Sequence, residues 1–142
     1  KTQYTFPNLN QGKPFFSDHD KTQEFKSVFM TNIGSWELTA NWVFASGHVY
    51  TDSENVDVEN LQIIISSDRN ESRLPPIHHL DVSFSKTWVV SIAKIHTGLS
   101  IYNLYDRNNI SHKRYNPYTS ELTMTDVVMF GITPTIFLQI SF

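Results

Sequence analysis

The chain has 142 residues, 39% hydrophobic and 13% aromatic, with only 18% charged residues, a net charge of −3 and no cysteine. That is enough apolar material for one domain with a sizeable core. It excludes disulfides, cysteine nucleophiles and zinc–thiolate sites, and it lacks the basic excess that a nucleic-acid binder needs to neutralise phosphates. There is no apolar run of about 18 residues, so no membrane insertion is expected. Charged residues fall below the usual ~25%, so Ser, Thr, Asn and Gln must supply the polar surface. Lys1 is not a natural start, and the sequence reads as a fragment or mature domain.

In chain order, residues 1–23 carry Pro7, Asn8, Asn10, Gly12, Pro14 and Asp18-His19-Asp20, and read as an arm anchored by Phe15-Phe16. Glu24–Met30 alternates and reads as a strand, followed by a turn at Asn32-Ile33-Gly34. Ser35–Phe44 puts Trp36, Leu38, Ala40, Trp42 and Phe44 on one face, the cleanest period-two pattern in the chain. His48–Thr51 is a short returning strand. Asp52–Asn60 is acidic and loop-like. Leu61–Ile65, apolar apart from Gln62, is read as a strand buried on both faces, although length alone does not exclude a helix segment. Ser66–His79 reads as a long loop.

The stretch Leu80–Tyr105 organises the rest. Val82, Phe84, Trp88, Val90 and Ile92 fall at even positions, and Val89, Ala93 and Ile95 on the opposite face. These β-branched and aromatic residues suit a pleated surface. His96-Thr97-Gly98 reads as the break of a hairpin between Leu80–Ile95 and Leu99–Tyr105. Lys86 interrupts the apolar even face, which marks a bend or bulge. Asp106–Ser120 reads as a polar, aromatic-rich loop and Leu122–Phe130 as a strand. Thr135–Phe142 carries Ile136, Leu138, Ile140 and Phe142 on one face, a core-facing strand that ties down the terminus. The expected fold is all-β: a single antiparallel β-sandwich or jelly roll over residues 1–142, of about eight or nine strands, with 1–14 as an entering arm.

Little in the sequence carries catalytic chemistry. The six histidines lack metalloprotease spacing, and adjacent His78-His79 point apart in extended chain. Asp52, Glu54, Asp57 and Glu59 lack the Gly-bearing loop of a calcium site and read as a solvated face. There is no nucleophile elbow or phosphate-cradling loop, so no enzyme activity, metal or cofactor is expected. Asn70-Glu71-Ser72 and Asn109-Ile110-Ser111 are glycosylation sequons in expected surface loops. The candidate binding cluster is Tyr105, Arg107, Lys113, Arg114 and Tyr115, where planar rings stand beside donors. An arginine fork suits a carboxylate such as that of sialic acid; the plainer alternative is a solvated basic loop.

A cysteine-free all-β chain with long polar loops, the Leu80–Tyr105 hairpin, the arm Lys1–Pro14 and an apolar strand running to Phe142 resembles the C-terminal head, or knob, of the adenovirus fibre. Common heads of that family begin with Thr-Leu-Trp-Thr, where this chain reads Lys-Thr-Gln-Tyr-Thr-Phe-Pro, so the resemblance is to a divergent member. It implies a non-enzymatic homotrimer on the virion surface that binds a host cell-surface receptor, either a protein or a sialylated glycan. A cellular lectin-like sandwich, extracellular and carbohydrate-binding, is the alternative.

Overall fold

A computed structural model describes residues 2–58, 61–66, 68–115 and 124–142. Among the described residues the chain is nearly all β, with antiparallel pairing and one 3-10 turn at Asn10–Gly12, an architecture compatible with a β-sandwich. Nine strands of five or more residues occur among the described residues, together with four two-residue ones. They fall into two compact units, each assembled from three separate stretches of sequence, so no single cut separates them.

One unit comprises Lys1–Gln23, Ala45–Ile77 and Ile110–Met129. It is built from two-stranded ribbons. β1 (Gln3–Tyr4) pairs with β2 (Phe15–Phe16), and β5 (Val49–Tyr50) pairs with β8 (Ser72–Arg73). β6 (Ser53–Val58) pairs with β7 (Leu61–Ser66), and β11 (Ile110–Tyr115) with β12 (Met124–Val128). Phe15, Ala45, Val49 and Leu74 are the buried apolar residues among those described, and all four lie in this unit. Gly47 sits against the Leu74 carbonyl, where an added Cβ would lie 2.0 Å from the oxygen, so only glycine permits that approach.

The other unit comprises Glu24–Phe44, His78–Asn109 and Phe130–Phe142. Its centre is one five-stranded sheet formed by β3 (Glu24–Ile33), β4 (Trp36–Ala45), β9 (Ile77–Val90), β10 (Ala93–Tyr102) and β13 (Thr133–Ser141). The spatial order is β13-β10-β9-β4-β3. Directly opposed residues share a face. The register aligns Leu99 with Phe84 and Ile136, Ile95 with Trp88 and Ile140, and Ile101 with Val82. Trp36 stacks on Phe84 at 4.3 Å, and Phe25 packs on Trp42 at 5.7 Å, which brings the apolar positions of β4 and β3 to the same side. The opposite face carries Ser83, Ser85, Thr87, His96, Ser100 and Gln139.

Several expectations are corrected. The hairpin turns at Ser91-Ile92, with Ser91 at φ 56°, and β10 runs straight through His96-Thr97-Gly98. Gly98 serves a close approach instead of a turn: a Cβ there would lie 2.6 Å from the Phe137 ring and 2.7 Å from the Phe84 carbonyl oxygen. Lys86 makes no bulge. It stays in register opposite Thr97, and its ammonium lies over the Trp36 and Trp88 rings at 4.6 and 3.9 Å. The cation is accommodated on an apolar face by the negative faces of two indoles.

Asp52–Asn60 contains the strand β6 over Ser53–Val58, paired antiparallel with β7, where a loop was expected. The loop reading of Asp106–Ser120 gives way to β11 from Ile110, and that of Ser66–His79 to β8 and the start of β9. The 1–23 arm holds the β1–β2 pair, with Phe15 buried as its anchor. The burial expected for Leu61–Ile65 concerns side chains outside the described residues. The terminal strand is not core-facing in the single chain. It is the edge of the sheet, and Ile136 and Phe142 are 80% and 93% exposed because this unit places no second layer over them.

Candidate functional site

Two tight polar assemblies fix the loops. In the sheet-bearing unit, Asn103 and Asn109 are fully buried. The Asn103 amide donates to the carbonyls of Arg107 and Phe130 (2.9 and 3.2 Å) and accepts from the Arg107 N–H (3.1 Å). Asn109 pairs with both backbone groups of His78, like a missing strand partner. Asp106 accepts from the Ile132 N–H, which ties the same loop to the chain entering β13.

In the ribbon unit, Asp20 is the hub, with its side chain 1% exposed. It accepts from Arg73 Nη2 (2.7 Å), from the Thr2 N–H (2.6 Å) and from the Thr22 hydroxyl (2.9 Å). Arg73 also donates to the Asp20 and Gly47 carbonyls.

These contacts, the Arg73 guanidinium first, depress the Asp20 pKa to about 2 from an ordinary value of 3.8. A depressed carboxylate stabilises the fold fully above its unfolded pKa and loses that contribution as pH falls through the folded one. Melting temperature is therefore expected to fall as pH drops from 3.8 towards about 2. Asp20→Asn should flatten the profile in that window. A variant retaining the full parental slope there would move the acid sensitivity to other carboxylates.

The five residues expected from sequence to form a binding cluster divide between the units. Tyr105 and Arg107 lie in the Asn103-centred loop, where the Tyr105 hydroxyl is hydrogen-bonded to His78 Nδ1 at 2.7 Å. Burial holds the His78 imidazole below its usual pKa. Lys113, Arg114 and Tyr115 lie on β11 of the ribbon unit. Lys113 reaches Asp126 at 3.6 Å and covers the Tyr50 ring at 4.9 Å, while Arg114 is exposed. Both sequon asparagines are buried, which corrects their placement in surface loops. Asn70 donates its amide to the Phe16 carbonyl and to Asp18, and the Asn109 amide is committed to His78. A glycan attached to either nitrogen would displace these bonds.

Two features emerge only with the tertiary structure. The first is the apolar face of the five-stranded sheet, with a hollow of about 330 Å³ lined by Phe29, Leu38, Ala40, Val82, Leu99 and Ile101. The second, in the ribbon unit, is a groove of about 310 Å³ between an aromatic cluster and the Asp18–Arg69 pair. Tyr4, Phe6 and Phe15 stand with ring centroids 6.1–6.2 Å apart. The excess of phenylalanine in the N-terminal arm was a signal for it. Asp18 and Arg69, 51 positions apart, gave none.

Among the described residues no group of three or more His, Asp or Glu side chains converges as a metal site. Fold and site together define an all-β chain with an exposed apolar sheet face and an aromatic-lined groove. Comparison with protein families, curated proteins and solved structures finds no match for it.

Proposed function

We propose that this chain is a non-enzymatic attachment module of the fibre-head type, a homotrimer at a virion surface that binds a host cell-surface protein or sialylated glycan. The observation that carries the reading is the apolar face of the five-stranded sheet. Its strands are mostly nine or ten residues long. At about 4.8 Å between strands and about 3.3 Å per residue, the face spans roughly 24 by 30 Å, about 700 Å². The largest apolar patch on a typical monomer is about 300–600 Å², and one side of a stable protein interface is about 800 Å². The face is thus the size of an interface.

Association of copies through it would bury the side chains of Phe29, Phe84, Leu99, Ile136 and Leu138, all exposed in the single chain. Each aliphatic or aromatic side chain fully buried contributes about 1.5–3 kcal/mol. A multimer also repeats each receptor site, and linked weak sites gain about 10²–10⁴ in avidity. Light scattering on the purified chain is expected to report three copies. Two copies would replace the fibre-head reading with a face-to-face dimer, and a monomer at micromolar concentration would remove the assembly altogether.

A further inference from the structure

We infer that the groove of the ribbon unit is a saccharide site, taking an uncharged sugar ring that stacks on Tyr4 and Phe6 and presents adjacent hydroxyls to Asp18 and Arg69. Its volume, about 310 Å³, reaches the ~300–1,000 Å³ range of small-ligand sites. Phe15 is the buried floor. Tyr4 and Phe6 are 45% and 51% exposed, open aromatic surface beside polar groups.

The polar side of the groove holds Ser17, Asp18, His19 and Arg69, and its Asp–Arg pair sets the ligand's charge. Two Asp–Arg pairs stand in this unit and differ in state. Asp20–Arg73 is closed at 2.7 Å, the distance of a fully formed charged hydrogen bond, with Asp20 buried and Arg73 27% exposed. Asp18–Arg69 is open: its closest approach is 3.3 Å, and the side chains are 60% and 43% exposed. A loose, exposed pair contributes little to stability, so a ligand can engage both members at small cost.

The two members are nonetheless held in place. Asp18 accepts from the buried Asn70 amide, the main reason its pKa lies below the ordinary range. The Arg69 backbone N–H donates to Asn10 Oδ1 at 2.8 Å, and its guanidinium lies 5.3 Å above the Phe15 ring. Asn10 is itself set by a turn in which Asn10 and Gln11 adopt φ 53° and 55°, in the left-handed region.

A cationic ligand would meet Arg69, and an anionic one would meet Asp18. A neutral ligand that both donates and accepts meets neither penalty. A carboxylate only accepts and a guanidinium only donates, whereas a hydroxyl does both. Two neighbouring hydroxyls of a sugar therefore match the pair, while its C–H face covers the rings. An apolar peptide side chain would fill the rings and leave the pair unused.

The inference goes beyond the attachment reading, since it places a neutral sugar and not a sialic acid in the groove; it rests on that reading only for the sugar's origin at a cell surface, and the binding is measured apart from assembly. Saturation-transfer NMR with the methyl glycosides of glucose, galactose and mannose at millimolar concentration is expected to show transfer from the full chain to at least one. Asp18→Asn and Phe6→Ala should each weaken that binding at least tenfold with the melting temperature retained. Phe6→Ala removes an exposed ring and no side-chain hydrogen bond, so it serves where the Asp18 variant fails to fold.

No transfer to any neutral glycoside overturns the inference. So does transfer only to a sialoside, or binding unchanged in both variants. A monomer by light scattering that still binds a hexoside refutes the trimer and keeps the groove. A trimer that binds none does the reverse.

Discussion

If copies associate through the sheet face as proposed, Leu99→Lys is expected to leave a folded monomer. Leu99 lies on β10, flanked in register by Phe84 and Ile136, and lines the hollow at the middle of the apolar face. In the single chain it is 39% exposed, so a lysine there can extend its ammonium into water, and the sheet itself should persist. In a closed interface the same ammonium would lose its water without gaining a partner. The effective cost of burying such an ion is several kcal/mol.

At about 1.4 kcal/mol per tenfold, association should weaken by at least 10²–10³. Sedimentation or light scattering at micromolar concentration reads the outcome directly. Gln139→Lys is the control: it lies on the opposite face of the neighbouring strand and should leave assembly intact. An Leu99→Lys protein that remains multimeric would place the interface elsewhere. Loss of assembly in both variants would point to the β13 edge instead of the face.

Asn103→Ala is the point substitution expected to cost most stability. The residue is fully buried with φ 52°, in the left-handed region, and its side chain makes three hydrogen bonds. Each lost bond costs about 1 kcal/mol. Alanine in the left-handed region adds roughly 1–2 kcal/mol. The sum is about 4 kcal/mol, on the order of a 10 °C fall in melting temperature for a chain of this length.

Asn103→Gly relieves the backbone strain but loses the same bonds, so it should lie above the alanine variant by about 1 kcal/mol. That ordering separates the two causes. An alanine variant that melts with the parent would show the knot to be peripheral. The position matters because the knot spans Asp81, Arg107 and Phe130, and so joins the ends of β9, β10 and β13.

What the sequence recorded well was periodicity. Trp36–Phe44, the even positions of 82–90 and Ile136–Ile140 each declared a strand with one apolar face, because side chains alternate strictly along extended chain. What it recorded badly was punctuation. Gly98 looked like a turn because glycine is permissive, yet its lack of a Cβ was needed for the Phe137 ring. The real turn, Ser91-Ile92, carries neither glycine nor proline. Asn70 and Asn109 looked like surface acceptors because a sequon holds no information on burial. Asp18 and Arg69 could not be paired at all from a distance of 51 positions.

By itself, then, the sequence determined the class of secondary structure, the alternation of the strands at 36–44, 82–90 and 136–140, and the absence of thiol chemistry. These follow from local geometry and composition. Only the tertiary structure decided which strands are neighbours, and hence that five apolar stripes fall on one side of a single sheet. It alone also brought an aromatic cluster beside one loose Asp–Arg pair while closing another. Those outcomes depend on contacts between residues far apart in the chain, and side-chain alternation says which face a residue takes but not what that face will meet.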